Sequence, residues 1–169
     1  GLWFEGVILD NIVKIRPAVG GLEFMSSPDS EQTFEPILRN YLGLDTNLDT
    51  VYQSLRHDER LASSIAKYPG MRLLRQDPWE CLISFICSSA SNIKRISKNI
   101  ESICATFGHP INMGNSVRYS FPSPADLIIA DTDILRSLGL GYRSEYLVAT
   151  TSTVSGGMFD LIGLRAMSY

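Results

Sequence analysis

Apolar positions recur along this chain with two different periods, and the change of period divides it. The first 25 residues or so alternate as strands do. Leu2-Trp-Phe-Glu-Gly-Val-Ile-Leu is followed by a turn signal at Asp10-Asn11. Ile12, Val13 and Ile15 then interleave with Lys14 and Arg16, and Gly20-Gly21 precedes Leu22-Glu-Phe-Met. This pattern predicts an antiparallel meander, one that begins abruptly on an apolar residue.

Residues 26–33 are polar and loop-like, and from there the spacing is helical. A helix is expected over residues 34–42, with Pro36 in its first turn and Gly43 as its stop. Leu48, Val51, Tyr52 and Leu55 form the next stripe, with Asp45 or Asn47 as its cap. Asp58 caps a third helix carrying Leu61, Ile65 and Ala66, which ends before Pro69-Gly70.

The strongest signal follows. Asp77 as N-cap, Pro78 at the first helical position and Glu80 three residues after the cap announce a helix start. Cys81, Leu82, Phe85 and Ile86 form one apolar stripe, and Ile83 and Cys87 make the opposite face apolar too. A helix apolar nearly all round is expected inside a domain. The Ser88-Ser-Ala-Ser-Asn92 run competes with helical hydrogen bonding, so the chain should turn there. Ile93, Ile96, Ile100, Ile103, Cys104 and Phe107 then define a second long helix, closed by Gly108 and Pro110. Its outer face carries Lys94, Arg95 and Lys98 near the start, where cations oppose the helix dipole at roughly 0.3–1 kcal/mol each. A bound anion would resolve the conflict; a solvated basic face is the alternative.

Residues 109–121 read as polar and irregular. Ser123-Pro-Ala-Asp126 is a capping box opening a short helix to Ala130. Residues 132–138 give another turn or two, and a longer helix runs from about Arg143 to Gly156-Gly157. Leu161, Ile162 and Leu164 begin a last helical stripe toward Tyr169. Between two of these helices, Gly139-Leu-Gly-Tyr-Arg143 sets an aromatic and a guanidinium after two permissive glycines. Tyr142 suits stacking on or wedging between bases, and Arg143 suits a base edge or a phosphate. A glycine C-cap with a half-buried tyrosine fits the same residues.

Composition narrows the class. The chain has 169 residues, 44% hydrophobic and 20% charged, with a net charge of −3. That fits one water-soluble globular domain, or one domain with part of another. No apolar run approaches the roughly 20 residues of a membrane span, and no signal peptide is evident. Cys81, Cys87 and Cys104 lack C-x-x-C spacing and read as buried reduced thiols of an intracellular protein. His57 and His109 are isolated, so no metal site is expected. The acidic balance argues mildly against nucleic acid. Acidic residues cluster before residue 60, however, whereas Lys94, Arg95, Lys98, Arg118, Arg136 and Arg143 come later.

The run Met71-Arg-Leu-Leu-Arg-Gln-Asp-Pro-Trp-Glu-Cys-Leu-Ile-Ser-Phe-Ile-Cys-Ser-Ser, with Leu138-Gly-Leu-Gly-Tyr-Arg-Ser-Glu-Tyr downstream, resembles the eukaryotic-type 8-oxoguanine DNA glycosylases of the helix-hairpin-helix superfamily. The resemblance implies an α+β fold. Residues 1–30 would be the end of an antiparallel β domain similar to TATA-binding protein. Residues 31–169 would be the helical glycosylase domain, stopping short of the catalytic hairpin. It implies base-excision repair of nuclear and mitochondrial DNA, with flipping of 8-oxoguanine from a duplex, glycosylase and abasic-site lyase activity, no cofactor and a monomeric full-length enzyme. The implied DNA-binding residues are Asn92, Lys94, Arg95, Lys98, Tyr142 and Arg143. Tyr142 would wedge into the stack, while Arg95 and Arg143 would recognise the cytosine left opposite the flipped base. Of three consecutive family asparagines only the last is present, as Asn92; Ala90 and Ser91 replace the others.

The family's nucleophilic lysine and partner aspartate have no match here. Lys14, Lys67, Lys94 and Lys98 are the only lysines, and none lies in a hairpin context. The expectation is a DNA-gripping segment without catalytic residues, inactive alone and of marginal stability for want of cover over residues 81–87. The competing expectation is a non-catalytic helical module of the same ancestry that binds DNA or protein.

Overall fold

The computed structural model describes residues 1–167. Two compact units divide the chain. One is residues 31–76; the other joins residues 1–30 to the stretch from Asp77 onward. The helical region is thus itself split at Gln76, a seam that hydrophobic spacing does not announce.

In the discontinuous unit, β1 (Phe4–Ile8), β2 (Asn11–Ala18) and β3 (Gly21–Ser27) form the antiparallel meander, in the order β1-β2-β3. Asn11 belongs to β2 rather than to the turn. It is buried, and its side chain is tied to Asp29 both through the Asp29 amide (2.9 Å) and through its carboxylate (3.0 Å). The expected irregular stretch 109–121 is instead a hairpin, β4 (Pro110–Met113) and β5 (Ser116–Tyr119). Gly114, at φ +58°, and Asn115 make its two-residue turn. The hairpin lies beside the meander: Ser27 Oγ donates to the Asn112 carbonyl at 2.6 Å, and Arg118 pairs with Glu5 at 2.7 Å. Gly108, just before it, runs so close to the Ser120 carbonyl that a Cβ would lie 2.0 Å from that oxygen.

The helical part of this unit comprises α4 (Pro78–Ser88), α5 (Ile93–Phe107), α6 (Pro124–Leu127), α7 (Thr132–Ser137) and α8 (Arg143–Ser155). The starts follow the side chains that cap them. The Asp77 carboxylate accepts from the Trp79 and Glu80 amides, and Ser123 and Asp126 form the full reciprocal box. The core gathers Trp79, Ile83, Cys87, Ile103, Leu127, Leu135, Leu140 and Leu147. The Trp79 indole N–H is satisfied by the Pro122 carbonyl at 2.9 Å. Helix α4 is therefore buried along one face only, at i, i+4 and i+8; Ile83 alone contributes roughly 1.5–3 kcal/mol by that burial. On its other side Phe85 is 76% exposed.

The thiols divide the same way. Cys87 is buried, Cys104 is partly buried, and Cys81 is exposed, against the expectation of three buried thiols. Burial pushes the thiol of Cys87 up to about 11 and that of Cys104 up to about 12. The last apolar stripe yields a single 3-10 turn, Gly163–Ala166; Ser168 and Tyr169, with which the expected helix ends, lie outside the described residues.

The other unit holds α1 (Glu31–Tyr41), α2 (Leu48–Leu55) and α3 (Glu59–Lys67). Helix α1 begins three residues earlier than expected, so Pro36 falls inside it, where one backbone hydrogen bond is forgone. Of the two candidate caps for α2, Asn47 serves. Arg72 donates to the carbonyls of Gly43 (2.5 Å) and Thr46 (2.8 Å). Arg75 meets Asp45 at 2.8 Å and holds its carboxyl below the usual range. Beside these arginines, α2 and α3 leave a cavity of about 530 Å³ between Leu48, Val51, Leu61 and Ile65. Among the described residues, no helix is long and apolar enough to cross a membrane.

Candidate nucleic-acid interface

The turn between α4 and α5 meets the loop before α8. At the turn, Ala90 takes φ +46°, a left-handed conformation that residues with a Cβ rarely adopt. Asn92 Oδ1 accepts from the Arg95 amide at 3.0 Å, so the side chain singled out for DNA also caps α5. In the loop, Gly139 and Gly141 sit at φ +88° and +60°. The approach of the loop to α5 is fixed by Asn99, which is buried at core spacing between Ile96 and Ile103 and donates Nδ2 to the Leu138 carbonyl. Its Oδ1, like the Ser91 hydroxyl in the turn, is buried with no partner among the described residues.

Four of the six candidate residues come together here. Arg95 Nη2 reaches the Gly139 carbonyl at 3.3 Å, while most of its side chain remains exposed. The Tyr142 hydroxyl lies 3.1 Å from Ser89 Oγ, and its ring is 52% exposed. Asn92 stands at the end of the same turn.

Arg143 is turned inward. It is 2% exposed, and its guanidinium donates to the carbonyls of Ser89, Ala90 and Leu140. The sequence offers it as a reader of bases; in the structure it is a structural tie. Lys94 and Lys98 make none of these contacts. They are exposed on α5 and pair with no carboxylate among the described residues.

Two groups escaped the sequence reading. Tyr146 is exposed and packs edge-on against Tyr142, with ring centroids 6.4 Å apart. Its signal is the i, i+4 spacing of two tyrosines across a helix start. Ile93, the first residue of α5, is 81% exposed beside the cations. The surface thus combines the start of α5, three cations, an apolar tip and a tyrosine pair, groups suited to phosphates and to the faces of bases.

A small antiparallel sheet carrying a helical body with these groups on one edge is a DNA-glycosylase fold. Residues 4–82 match the family described as 8-oxoguanine DNA glycosylase, N-terminal domain. An N-glycosylase/DNA lyase of Saccharomyces cerevisiae is 38% identical over 133 residues, 76% of this chain and 35% of the relative. The N-glycosylase/DNA lyase OGG1 of Arabidopsis thaliana is 30% identical over 173 residues, 96% of this chain and 47% of the relative. Among solved structures, MBOgg1 in complex with a low-affinity DNA ligand superimposes with a TM-score of 0.88 at 31% identity, covering 98% of this chain and 57% of that one. The chain belongs to the 8-oxoguanine DNA glycosylase family, and it spans less than half the length of these two curated relatives.

Proposed function

We propose that this chain is the DNA-gripping part of an 8-oxoguanine DNA glycosylase and abasic-site lyase acting in base-excision repair. The observation that carries the reading is the meeting of the exposed Tyr142 ring with the cationic start of α5, through the Tyr142–Ser89 and Arg95–Gly139 contacts. Phosphates at the α5 start would be held by backbone N–H groups with Lys94, Arg95 and Lys98, which relieves the repulsion between those cations and the helix dipole. Tyr142, backed by Tyr146, would enter the stack where a base has left it. Asn92 keeps the turn in register.

In this reading none of the four lysines is the Schiff-base nucleophile. Lys14 is paired with Glu5 at 3.2 Å, Lys67 lies over the Tyr68 ring, and Lys94 and Lys98 are exposed. None sits in the desolvated pocket that such chemistry requires. Excision is therefore proposed for the family enzyme as a whole, with these residues providing grip and distortion.

The test is binding of a duplex carrying an abasic-site analogue, followed across salt concentrations. Lys94→Ala with Lys98→Ala should weaken binding and flatten the log affinity versus log salt slope by about 0.9 per lysine. An unchanged affinity and slope would leave the basic helix start as a solvated face and overturn the reading. Borohydride trapping on an 8-oxoguanine duplex should give no adduct with this chain; an adduct on any of the four lysines would refute the assignment of roles.

A further inference from the structure

Ile93, the first residue of α5, is 81% exposed. It stands on the line of the apolar stripe of that helix. The next members inward behave differently: Ile103 is buried in the core, and Ile96 and Ile100 pack against it. Ile100 lies two helical turns after Ile93, so the two share a face. The stripe therefore runs on past the end of the core, and folding gives Ile93 little cover.

The direction of the side chain follows from helix geometry. Cα–Cβ bonds tilt toward the N-terminus of a helix, so a side chain on the first residue projects beyond the helix end. That end is capped by the Asn92 side chain and carries Lys94, Arg95 and Lys98. Around the helix axis these cations follow Ile93 by about 100°, 200° and 140° respectively. Hydrocarbon and positive charge thus occupy different sides of one helix end. A ligand bound there meets both, and a phosphate alone would leave the isoleucine unused. Duplex DNA offers the pairing, with phosphates outside and the sugars and base edges of the minor groove next inward.

We propose that Ile93 is a DNA-contact residue that packs against the sugars and base edges of the minor groove beside the gap left by a flipped base, while Lys94, Arg95 and Lys98 hold phosphates. The assignment rests on the function proposed above and adds to it a contact without charge. Its share of the affinity is independent of salt, whereas that of the lysines is not. It is also separate from the wedge, since Tyr142 stands on the loop before α8 and Ile93 on α5 itself.

The test uses the whole chain, the abasic-analogue duplex and three variants: Ile93→Ala, Ile93→Leu, and Lys94→Ala combined with Lys98→Ala. Ile93→Ala should bind about five- to tenfold more weakly, the effect of removing part of one covered isoleucine, with the salt slope of the wild type. Its melting temperature should be no lower than that of the wild type, because the side chain has little cover in the free protein. Ile93→Leu keeps the hydrocarbon and should recover most of the affinity. At saturation, hydroxyl-radical cleavage, which attacks sugars from the minor groove, should rise beside the gap with Ile93→Ala and not with the lysine variant. Wild-type affinity in Ile93→Ala would overturn the proposal, and the DNA reading would still stand if the lysine variant flattens the slope. A flattened slope in Ile93→Ala, a fall in its melting temperature, or no rescue by leucine would overturn it too. If the wild-type chain binds no duplex, the DNA reading itself fails and the contact fails with it.

Discussion

Asn99 and Leu138, 39 residues apart, are joined by one hydrogen bond, from the buried Asn99 Nδ2 to the Leu138 carbonyl at 3.0 Å. Gly139 follows at φ +88°, and a Cβ there would stand 3.2 Å from the same nitrogen. Asn99→Ala strands the carbonyl and should cost about 1–3 kcal/mol. Gly139→Ala should cost about 1–2 kcal/mol from the left-handed backbone alone. Urea unfolding of both variants checks this; wild-type midpoints would mean that the bond does not hold the loop.

Ala90 stands at φ +46° where asparagine, which tolerates that region, occurs in the resembled family. Ala90→Asn should relieve strain and raise the melting temperature by about 1–3 °C, taking roughly 2–4 °C per kcal/mol for a chain of this size. Ala90→Val should lower it, because β-branching penalises the conformation further. A scan in which the valine variant melts highest would show that the turn is free to leave the left-handed region.

Burial raises the Glu80 carboxyl above its ordinary value of 4.5, and the neighbouring Asp77 carboxylate adds to the effect. A raised folded value means the native state holds the proton more tightly than the unfolded chain does. Stability is then full below 4.5 and is lost as pH rises through the higher folded value. Glu80→Gln should therefore be more stable than wild type at pH 7, with the advantage vanishing below about pH 4.5. Melting curves at pH 4 and pH 7 decide it, and an advantage that grows on acidification would contradict the sign.

The three cysteines should label unequally. Burial holds the thiols of Cys87 and Cys104 at about 11 and about 12, so little thiolate forms at pH 8, and neither is well exposed. Cys81 is exposed and should take up iodoacetamide first, followed by the other two only on unfolding. Peptide mapping after brief labelling would expose an error if Cys104 reacted as fast as Cys81.

The sequence was most legible where one side chain decides a boundary. Asp58, Asp77 and Ser123 each cap the helix that was expected of them, because a cap acts on amides two or three residues away. The hairpin at residues 110–119 was signalled by its two-residue Gly114-Asn115 turn, yet its polar residues masked the alternation. Exposure of Phe85 was hidden because an apolar side chain carries no mark of whether anything covers it. At the candidate interface, motif and spacing singled out Tyr142 and Arg95, which the structure sets on the loop and turn that meet there. The inward turn of Arg143 was not: the carbonyls that capture it belong to residues 89 and 90, and only tertiary structure brings them within reach.

Glu5 takes Lys14 at 3.2 Å and Arg118 at 2.7 Å, which keeps its carboxyl below the ordinary range and fastens the first strand to a hairpin 113 residues further on. During synthesis the opening strands must wait, with one partner missing, until residue 119 has left the ribosome, roughly six to twenty-four seconds after the first residue at typical elongation rates. The intervening residues 31–76 have a unit of their own to form in that interval. A protease cut among them should leave the two ends of the other unit held together without a covalent link, migrating as one particle in native conditions and as two fragments in detergent.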